Sequence, residues 1–375
     1  MKTFEPRHAG ALLEIDLGAI RANYRLLRTR LGTTACAGVV KADAYGLGAA
    51  RVAPTLAAEG CRHFFVAHLD EAVALRPMLP ARAEIFVLNG LPDGAEAEAI
   101  ARGITPVLNS LRQLEAWTGA ARRRERRLPA VLQVDSGMSR LGLDAADLAA
   151  LADAPARLAP LDLRLVMSHL ACADDQGHPM NRAQLGRFAA ARRRLPPAPA
   201  SLSNSSGIFL GSDFRFDLAR PGAALYGLAP VKGAANPMRP VVRLRGRIVQ
   251  TREIPAGAQV GYGAAWTATG PRRIATVAVG YADGYRRGLS HRATAFAGDT
   301  AVTLVGIVSM DTATFDVTEA PQAVEGGFLE LVGARHPVDA LAAEAGTIGY
   351  EILTSLGSRY ARSYVDAVQT ERLSA

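Results

Sequence analysis

Between residues 35 and 219 short apolar runs alternate with longer amphipathic stretches, and the connections between them are brief. β-Branched and other apolar residues predict strands at 35–41, 63–67, 84–88, 105–108, 129–134, 162–168, 200–203 and 216–219. The stretches between them follow the three-to-four spacing of a helix with one buried face. The first helix is expected to begin after Asp16, a good N-cap, with Leu17, Ile20, Tyr24 and Leu27 on its apolar side. Strand-and-helix units repeated eight times over roughly 220 residues match the size of a (β/α)8 barrel. The competing doubly wound sheet would carry a G-x-G-x-x-G after a strand, and none stands there.

The pattern changes near 233–237, where Gly, Asn and Pro make a plausible linker. Beyond it short β-rich runs at 241–249, 275–279, 301–308 and 328–332 are punctuated by Gly and Pro, and only 338–345 reads clearly as helix. The expected fold class is therefore α/β: a TIM-type (β/α)8 barrel over 12–235, then a mainly β domain over 236–375, with residues 1–11 packing on the latter.

Composition fits this picture. The 375 residues are 49% hydrophobic and 21% charged, as in an ordinary folded protein. The net charge of +8 is carried largely by arginine, with runs at Arg122-Arg123-Arg124-Glu125-Arg126-Arg127 and Arg192-Arg193-Arg194. Both runs lie between helical patterns and lack interleaved aromatics, so they read as solvated helix ends and not as a nucleic-acid or membrane surface. Cys36, Cys61 and Cys172 have no metal-ligand spacing and suggest reduced, buried thiols. No secretory h-region follows the N-terminus and no run reaches membrane-span length, so a cytoplasmic location is expected, with no metal site.

The candidate chemistry clusters at strand exits. Lys41 ends the first apolar run, just before Ala42-Asp43-Ala44-Tyr45-Gly46-Leu47-Gly48. Burial of its amine would disfavour the ammonium form, as a Schiff-base or proton-carrying lysine needs. Arg140 follows the strand at 129–134, and Ser168-His169 ends the next. Ser203-Asn204-Ser205-Ser206 leads from a strand toward a helix, a natural anion site. Arg220-Pro221-Gly222-Ala223 closes the series, with Gly222 allowing close backbone approach. Singly, each reads as a cap, a salt bridge or a satisfied core histidine. Together, at successive exits of a barrel, they do not.

These strings resemble alanine racemase, a fold-type III pyridoxal-phosphate family. The resemblance rests on Val39-Val40-Lys41-Ala42-Asp43-Ala44-Tyr45-Gly46, Asp135 to Gly142, Ser168-His169, Asn204-Ser205 and Arg220 to Gly227. It continues through Gly261-Tyr262-Gly263, Gly280-Tyr281-Ala282-Asp283 and Ser309-Met310-Asp311, and reaches Tyr350. It implies that Lys41 carries pyridoxal phosphate and serves one face of the substrate, while Tyr262 serves the other. A phenol works as a base near neutrality only beside positive charge, for which Arg140 and His169 are the candidates. Arg140 would hold the substrate carboxylate through its guanidinium fork, with Met310 and Tyr281 as further substrate contacts. Cofactor contacts implied are Tyr45, His169, Asn204, Ser205, Arg220, Gly222, Ala223 and Tyr350. Arg220, set against the pyridine nitrogen, would keep its proton and leave the ring a weaker electron sink, disfavouring transamination.

The resemblance further implies a head-to-tail homodimer, each site receiving Tyr262 and Met310 from the partner. The chain departs from the family pattern at Gln133, where many members carry a carbamylated lysine, so Arg140 would rest on a bound anion such as chloride or be held less firmly. Ile307 and Ser309 stand where an arginine and a cysteine are common. The leading expectation is interconversion of L- and D-alanine. The alternatives are a broader or serine/lysine racemase, a decarboxylase of the same fold, for which Tyr262 would be superfluous, and a non-catalytic cofactor carrier.

Overall fold

The computed structural model describes residues 6–366, which fall into two compact units. One comprises residues 20–225 and 229–238. Its parallel strands Gly38–Val39, His63–Val66, Glu84–Val87, Ile104–Leu108, Leu128–Gln133, Leu161–Met167 and Ala200–Ser201 lie side by side in chain order. The last strand, Leu218–Ala219, pairs in parallel with Ala35–Cys36, just ahead of the first. It is also tied to the seventh by Asp217 N–H to Ala200 O (3.0 Å) and Arg220 N–H to Ser203 O (2.9 Å). The sheet therefore closes as the barrel expected from the sequence. All residues of Ile104–Leu108 are buried, as befits a parallel strand covered on both faces.

The covering helices show why the periodicity was informative. Leu111–Arg123 begins on Ser110, whose Oγ accepts Gln113 N–H, and buries Leu114, Trp117, Thr118, Ala120 and Ala121. Trp117 also donates from Nε1 to Pro129 O at 3.1 Å, seating the helix on the next strand. Leu17–Leu31 starts, as expected, on Asp16, which accepts Ala19 N–H at 2.9 Å. Arg122–Arg127 are exposed at the end of their helix, as solvated residues should be. Cys36 and Cys61 are buried, whereas Cys172, in the loop 168–178, retains some exposure.

The other unit holds the described residues up to Ala19, Tyr226–Leu228 and those from Arg239 onward. Its eight-stranded sheet runs in the order Arg272–Val277, Ala313–Asp316, Thr300–Val305, Thr294–Ala297, Phe328–Val332, Val242–Ile254, Ala11–Asp16, Ala361–Val365. The long strand Val242–Ile254 pairs with Phe328–Val332 along its first half and with Arg272–Val277 along its second, which closes six strands on themselves.

Three expectations are corrected here. The boundary at residue 12 falls inside the β unit, because Ala11–Ile15 pairs antiparallel with 242–246 and 12–16 pairs in parallel with 361–365. Its alternating burial marks a strand of the mixed sheet, not of the barrel. A second helix, Gly349–Thr354, follows Val338–Glu344. The strands Thr294–Ala297, Ala313–Asp316 and Ala361–Val365 were not anticipated, being short and rich in Ala, Ser and Thr, so that little alternation shows. Of the segment 1–11, residues 1–5 lie outside the described residues, while Gly10 O accepts Arg247 N–H within the β unit. Among the described residues no helix is long and apolar enough to cross a membrane.

Candidate active site

Lys41 leaves the first barrel strand into an unusual turn. Ala42, Asp43 and Ala44 have φ/ψ near 53°/50°, 52°/49° and 54°/51°, and Tyr45 has φ 58°. This is a turn of left-handed helix without a glycine, closed by Ala44 N–H to Val40 O (2.9 Å) and Gly46 N–H to Ala42 O (2.7 Å). Such residues cost roughly 1–2 kcal/mol each, so the surroundings must hold them. Two carboxylates contribute: Glu71 Oε1 accepts Ala42 N–H at 2.6 Å, and Asp43 Oδ1 accepts Ala49 N–H at 2.7 Å. The Lys41 amine has a pKa lowered first by burial and then by Arg140, with Glu71 acting in the opposite sense. Its free-base form is thereby more accessible, as a nucleophile or proton carrier requires.

Arg220 is 4% exposed. Its Nη2 donates to Ser168 O at 2.6 Å and reaches His169 Nδ1 at 3.5 Å, while Nη1 donates to Ser201 Oγ. Ser201 Oγ in turn donates to Leu218 O at 2.6 Å. A guanidinium has only donors, so the Nδ1 facing it must be the unprotonated nitrogen of a neutral imidazole. The charges agree. Burial, then Arg220, Arg140 and Lys41, depress the His169 pKa to about 3. His169 is therefore no positive neighbour for a phenolate, contrary to the expectation above; burial and the three cations around it keep it neutral. Burial also lowers Arg220, to about 9, which leaves it protonated near neutrality.

A one-way chain of hydrogen bonds fixes this group from below. Ser168 Oγ donates to Val134 O (2.8 Å), so Ser136 Oγ must donate to Ser168 Oγ (2.7 Å). The wholly buried Gln184 donates to Ser136 Oγ (3.2 Å) and His169 O (2.8 Å), and accepts Ala171 N–H (2.9 Å).

Ser205 Oγ accepts Gly222 N–H (3.0 Å) and Ala224 N–H (3.1 Å), leaving its own proton to donate. With its N–H so engaged, Gly222 contributes clearance: a Cβ there would overlap the Tyr45 hydroxyl. Ala223 follows in a short 3-10 turn, Ala223–Tyr226. Asn204 is turned inward to the chain, its Oδ1 accepting Gly207 N–H at 2.9 Å. The helix expected after this loop is only the 3-10 turn Gly207–Phe209.

Arg140 is exposed, on a loop wound about Asp135, whose Oδ1 accepts the N–H groups of Gly137, Met138 and Ser139. Gln133 supports this loop by backbone contact: Nε2 donates to Leu141 O (3.2 Å), and its own carbonyl accepts Leu143 N–H (2.8 Å).

The remaining candidates belong to the β unit and are displayed on its surface. Tyr262 tops the hairpin Gln259–Val260/Trp266–Thr267 and is 72% exposed. Met310 and Tyr281 are exposed on adjoining segments, joined by Tyr281 N–H to Ser309 O (3.1 Å) and Ala282 N–H to Met310 O (3.0 Å). Tyr350 is exposed near the start of Gly349–Thr354.

Sequence reasoning brought together the barrel set from strand exits alone. It missed Glu71, Ser136, Gln184 and Ser201. Glu71 had a faint signal, as a carboxylate three residues after a helix N-cap; Gln184 and Ser201 had none, since a buried polar residue looks like an exposed one until the chain is folded.

Residues 15–230 match the family profile described as alanine racemase, N-terminal domain, and residues 241–364 that of its C-terminal domain. The chain is 53% identical to the catabolic alanine racemase of Mesorhizobium japonicum over 359 residues, covering 95% of this chain and 94% of that one. It is 52% identical to the alanine racemase of Rhodospirillum rubrum, over 95% and 96% of the two chains. Among solved structures, that of alanine racemase from Bartonella henselae with covalently bound pyridoxal phosphate superposes with a TM-score of 0.92 at 42% identity, covering 95% of this chain and all of that one. The alanine racemase of Streptomyces coelicolor A3(2) gives 0.90 at 35% identity, over 96% and 99%.

Proposed function

Because the chain belongs to the alanine racemase family, we infer that it interconverts L- and D-alanine with pyridoxal phosphate as cofactor, and we propose the residues that do so. The barrel mouth fits that cofactor: an amine of lowered pKa for its aldehyde, a cationic Arg220 for its ring nitrogen, and the cradle at Gly222 and Ser205 for its phosphate. When bound, the cofactor withdraws the electron pair left on the substrate carbon after proton removal.

In this reading Lys41 would bond the cofactor and, once the substrate's amino group has displaced it, its freed amine would remove or return the Cα proton on one substrate face, while Tyr262 would do the same on the other. Arg220 donates a hydrogen bond to the ring nitrogen without giving up its proton, which limits electron withdrawal and keeps protonation at the substrate carbon. His169, being neutral, would contact the cofactor without adding charge. Tyr45, Asn204, Ala223 and Tyr350 would complete the cofactor contacts; Arg140 would bind the substrate carboxylate, with Met310 and Tyr281 as further carboxylate or gate contacts. An anion beside Arg140 and Gln133 would stand in for a negative side chain there, and replacing chloride by gluconate should then raise KM for L-alanine. The proposal also takes the protein to be a cytoplasmic homodimer in which Tyr262 and Met310 serve the partner's Lys41.

The observation that carries this reading is the Lys41 amine, desolvated and flanked by Arg140, at a strand exit. Its test is borohydride reduction of the holoenzyme followed by peptide mapping, with Cα–H exchange of L-alanine in deuterated water. Label on another residue, or no exchange, would sink it. For the dimer, mixed Lys41→Ala and Tyr262→Phe subunits should regain activity; demonstrable heterodimers without activity would place both bases in one chain.

A further inference from the structure

Glu71 stands in the first turn of Leu69–Leu75, outside every motif on which the function rests. Its Oε1 accepts Ala42 N–H at 2.6 Å, and its Oε2 accepts Ala67 N–H at 2.7 Å and His68 N–H at 3.1 Å. We propose that Glu71 is a positioning residue for racemisation, clamping the left-handed turn so that Lys41 stays where it can bond the cofactor and move the substrate proton. This rests on the role of Lys41 given above.

An ordinary carboxylate at a helix start bonds the amides of its own element and no more. Glu71 does that with Oε2, but Oε1 reaches a peptide 29 residues earlier. That peptide is the first after Lys41, and its N–H comes too early in the turn to find a carbonyl within it. The turn has no glycine from Ala42 to Tyr45, so its conformation depends on what grips it. Both carboxylate oxygens are needed. A glutamine has one acceptor and would turn its NH2 toward one of the amides. The same carboxylate is the negative group acting on Lys41, against burial and Arg140.

The test uses Glu71→Gln and Glu71→Ala, with Asp70→Asn as a neighbouring control. In the apoprotein, hydrogen exchange of a peptide spanning the turn should quicken at Ala42 by about tenfold or more in Glu71→Ala. Capture of pyridoxal phosphate by the apoprotein, followed by absorbance across pH, should shift toward acid in both Glu71 variants, because losing the negative charge disfavours the Lys41 ammonium. Turnover of L-alanine should fall roughly 10–100-fold, in kcat more than KM, from misplacement of the amine. Asp70→Asn should change none of these. If Glu71→Ala does not fold, Glu71→Gln, which keeps one acceptor, answers through its exchange and pH profile. Wild-type exchange and an unmoved pH profile, even with slower turnover, would reduce Glu71 to a structural residue and overturn the proposal. Wild-type protein that fails to capture the cofactor at Lys41 would instead overturn the function assigned above.

Discussion

The barrel mouth and the displayed surface of the β unit hold their functional side chains in opposite ways. Arg220 is 4% exposed, and its terminal nitrogens are engaged by Ser168, Ser201 and His169. Tyr262 is 72% exposed and Met310 54%. Yet the backbone beneath the exposed set is not loose. Gly280 packs so closely on Ser309 and Met310 carbonyls that a Cβ would overlap them, and Asp283 pins Gly280 N–H at 3.0 Å. Around Arg220 the side chains are held to their tips; at Met310 the backbone is fixed and the tip is exposed. A buried polar network is costly to break and insensitive to what lies outside. If Tyr262 has the role proposed above, this exposed side chain can be lost with little harm to the fold and much harm to the chemistry.

Replacing Lys41 by alanine should have the largest effect, on the order of 10^4-fold or more in turnover, with loss of the covalent cofactor absorbance. Tyr262→Phe should sharpen the contrast. Racemisation should fall by roughly 10²–10⁴-fold for a lost acid–base group, while the melting temperature stays put because the hydroxyl is exposed. A Tyr262→Phe protein that unfolds several degrees early would show that the hairpin tip is structural after all.

The sequence made the barrel legible to the extent that its signals are local. Eight apolar runs and Asp16 as N-cap are features of single segments, and the structure places them as expected. Lys41, Arg140, His169, Ser205 and Arg220 were found together because a parallel barrel sends every strand exit to one end. What stayed hidden depends on contacts far apart in the chain. The strand Ala11–Asp16 joins the β sheet through partners beyond residue 240. The charge state of His169 depends on burial and then on three cations from three other segments. The left-handed run after Lys41 has no glycine to announce it, and its grip by Glu71 is a tertiary bond.

The buried network is open to a direct test of its worth. Gln184→Ala removes two donated bonds and one accepted bond from a site without solvent, leaving Ala171 N–H and His169 O unpaired. A loss of about 1–3 kcal/mol is expected from such unsatisfied groups, read by chemical denaturation. His169 should leave its mark on the pH dependence. Its folded pKa lies near 3, below the usual histidine value of 6.5, so the unfolded chain takes up the proton first as pH falls. Stability from the neutral ring is intact above pH 6.5 and drains away between there and about 3, by no more than about 1.4 kcal/mol per pH unit. In His169→Asn the melting temperature should fall less between pH 7 and pH 4.5 (about two units below the usual histidine value) than in wild type; an equal fall would mean that the ring is protonated in the folded protein.

The smallest effect should come from beneath the exposed surface. Arg359 bonds both oxygens of the buried Asp283, at 2.6 and 2.8 Å, and reaches Asp311 Oδ1 at 2.7 Å. These two carboxylates sit on the segments that carry Tyr281 and Met310. The hydrogen bonds that Arg359 donates to Asp283 and Asp311, and after them the negative charge of the two carboxylates, raise its pKa still further, so its contribution is constant across the working pH range. Because Asp311 is exposed, its half of the contact adds little energy, and the fork to Asp283 matters more. Arg359→Ala should leave Asp283 held by Gly280 N–H and loosen both segments. The consequence is a KM for alanine raised by roughly 3–10-fold with kcat nearly unchanged, as for a change in binding alone. Arg359→Lys should restore only part of this, since one ammonium cannot present two parallel N–H groups. An Arg359→Ala enzyme with lowered kcat and unaltered KM would mean that the firm backbone under the exposed side chains serves the chemical step itself, and the contrast between the two regions would fail.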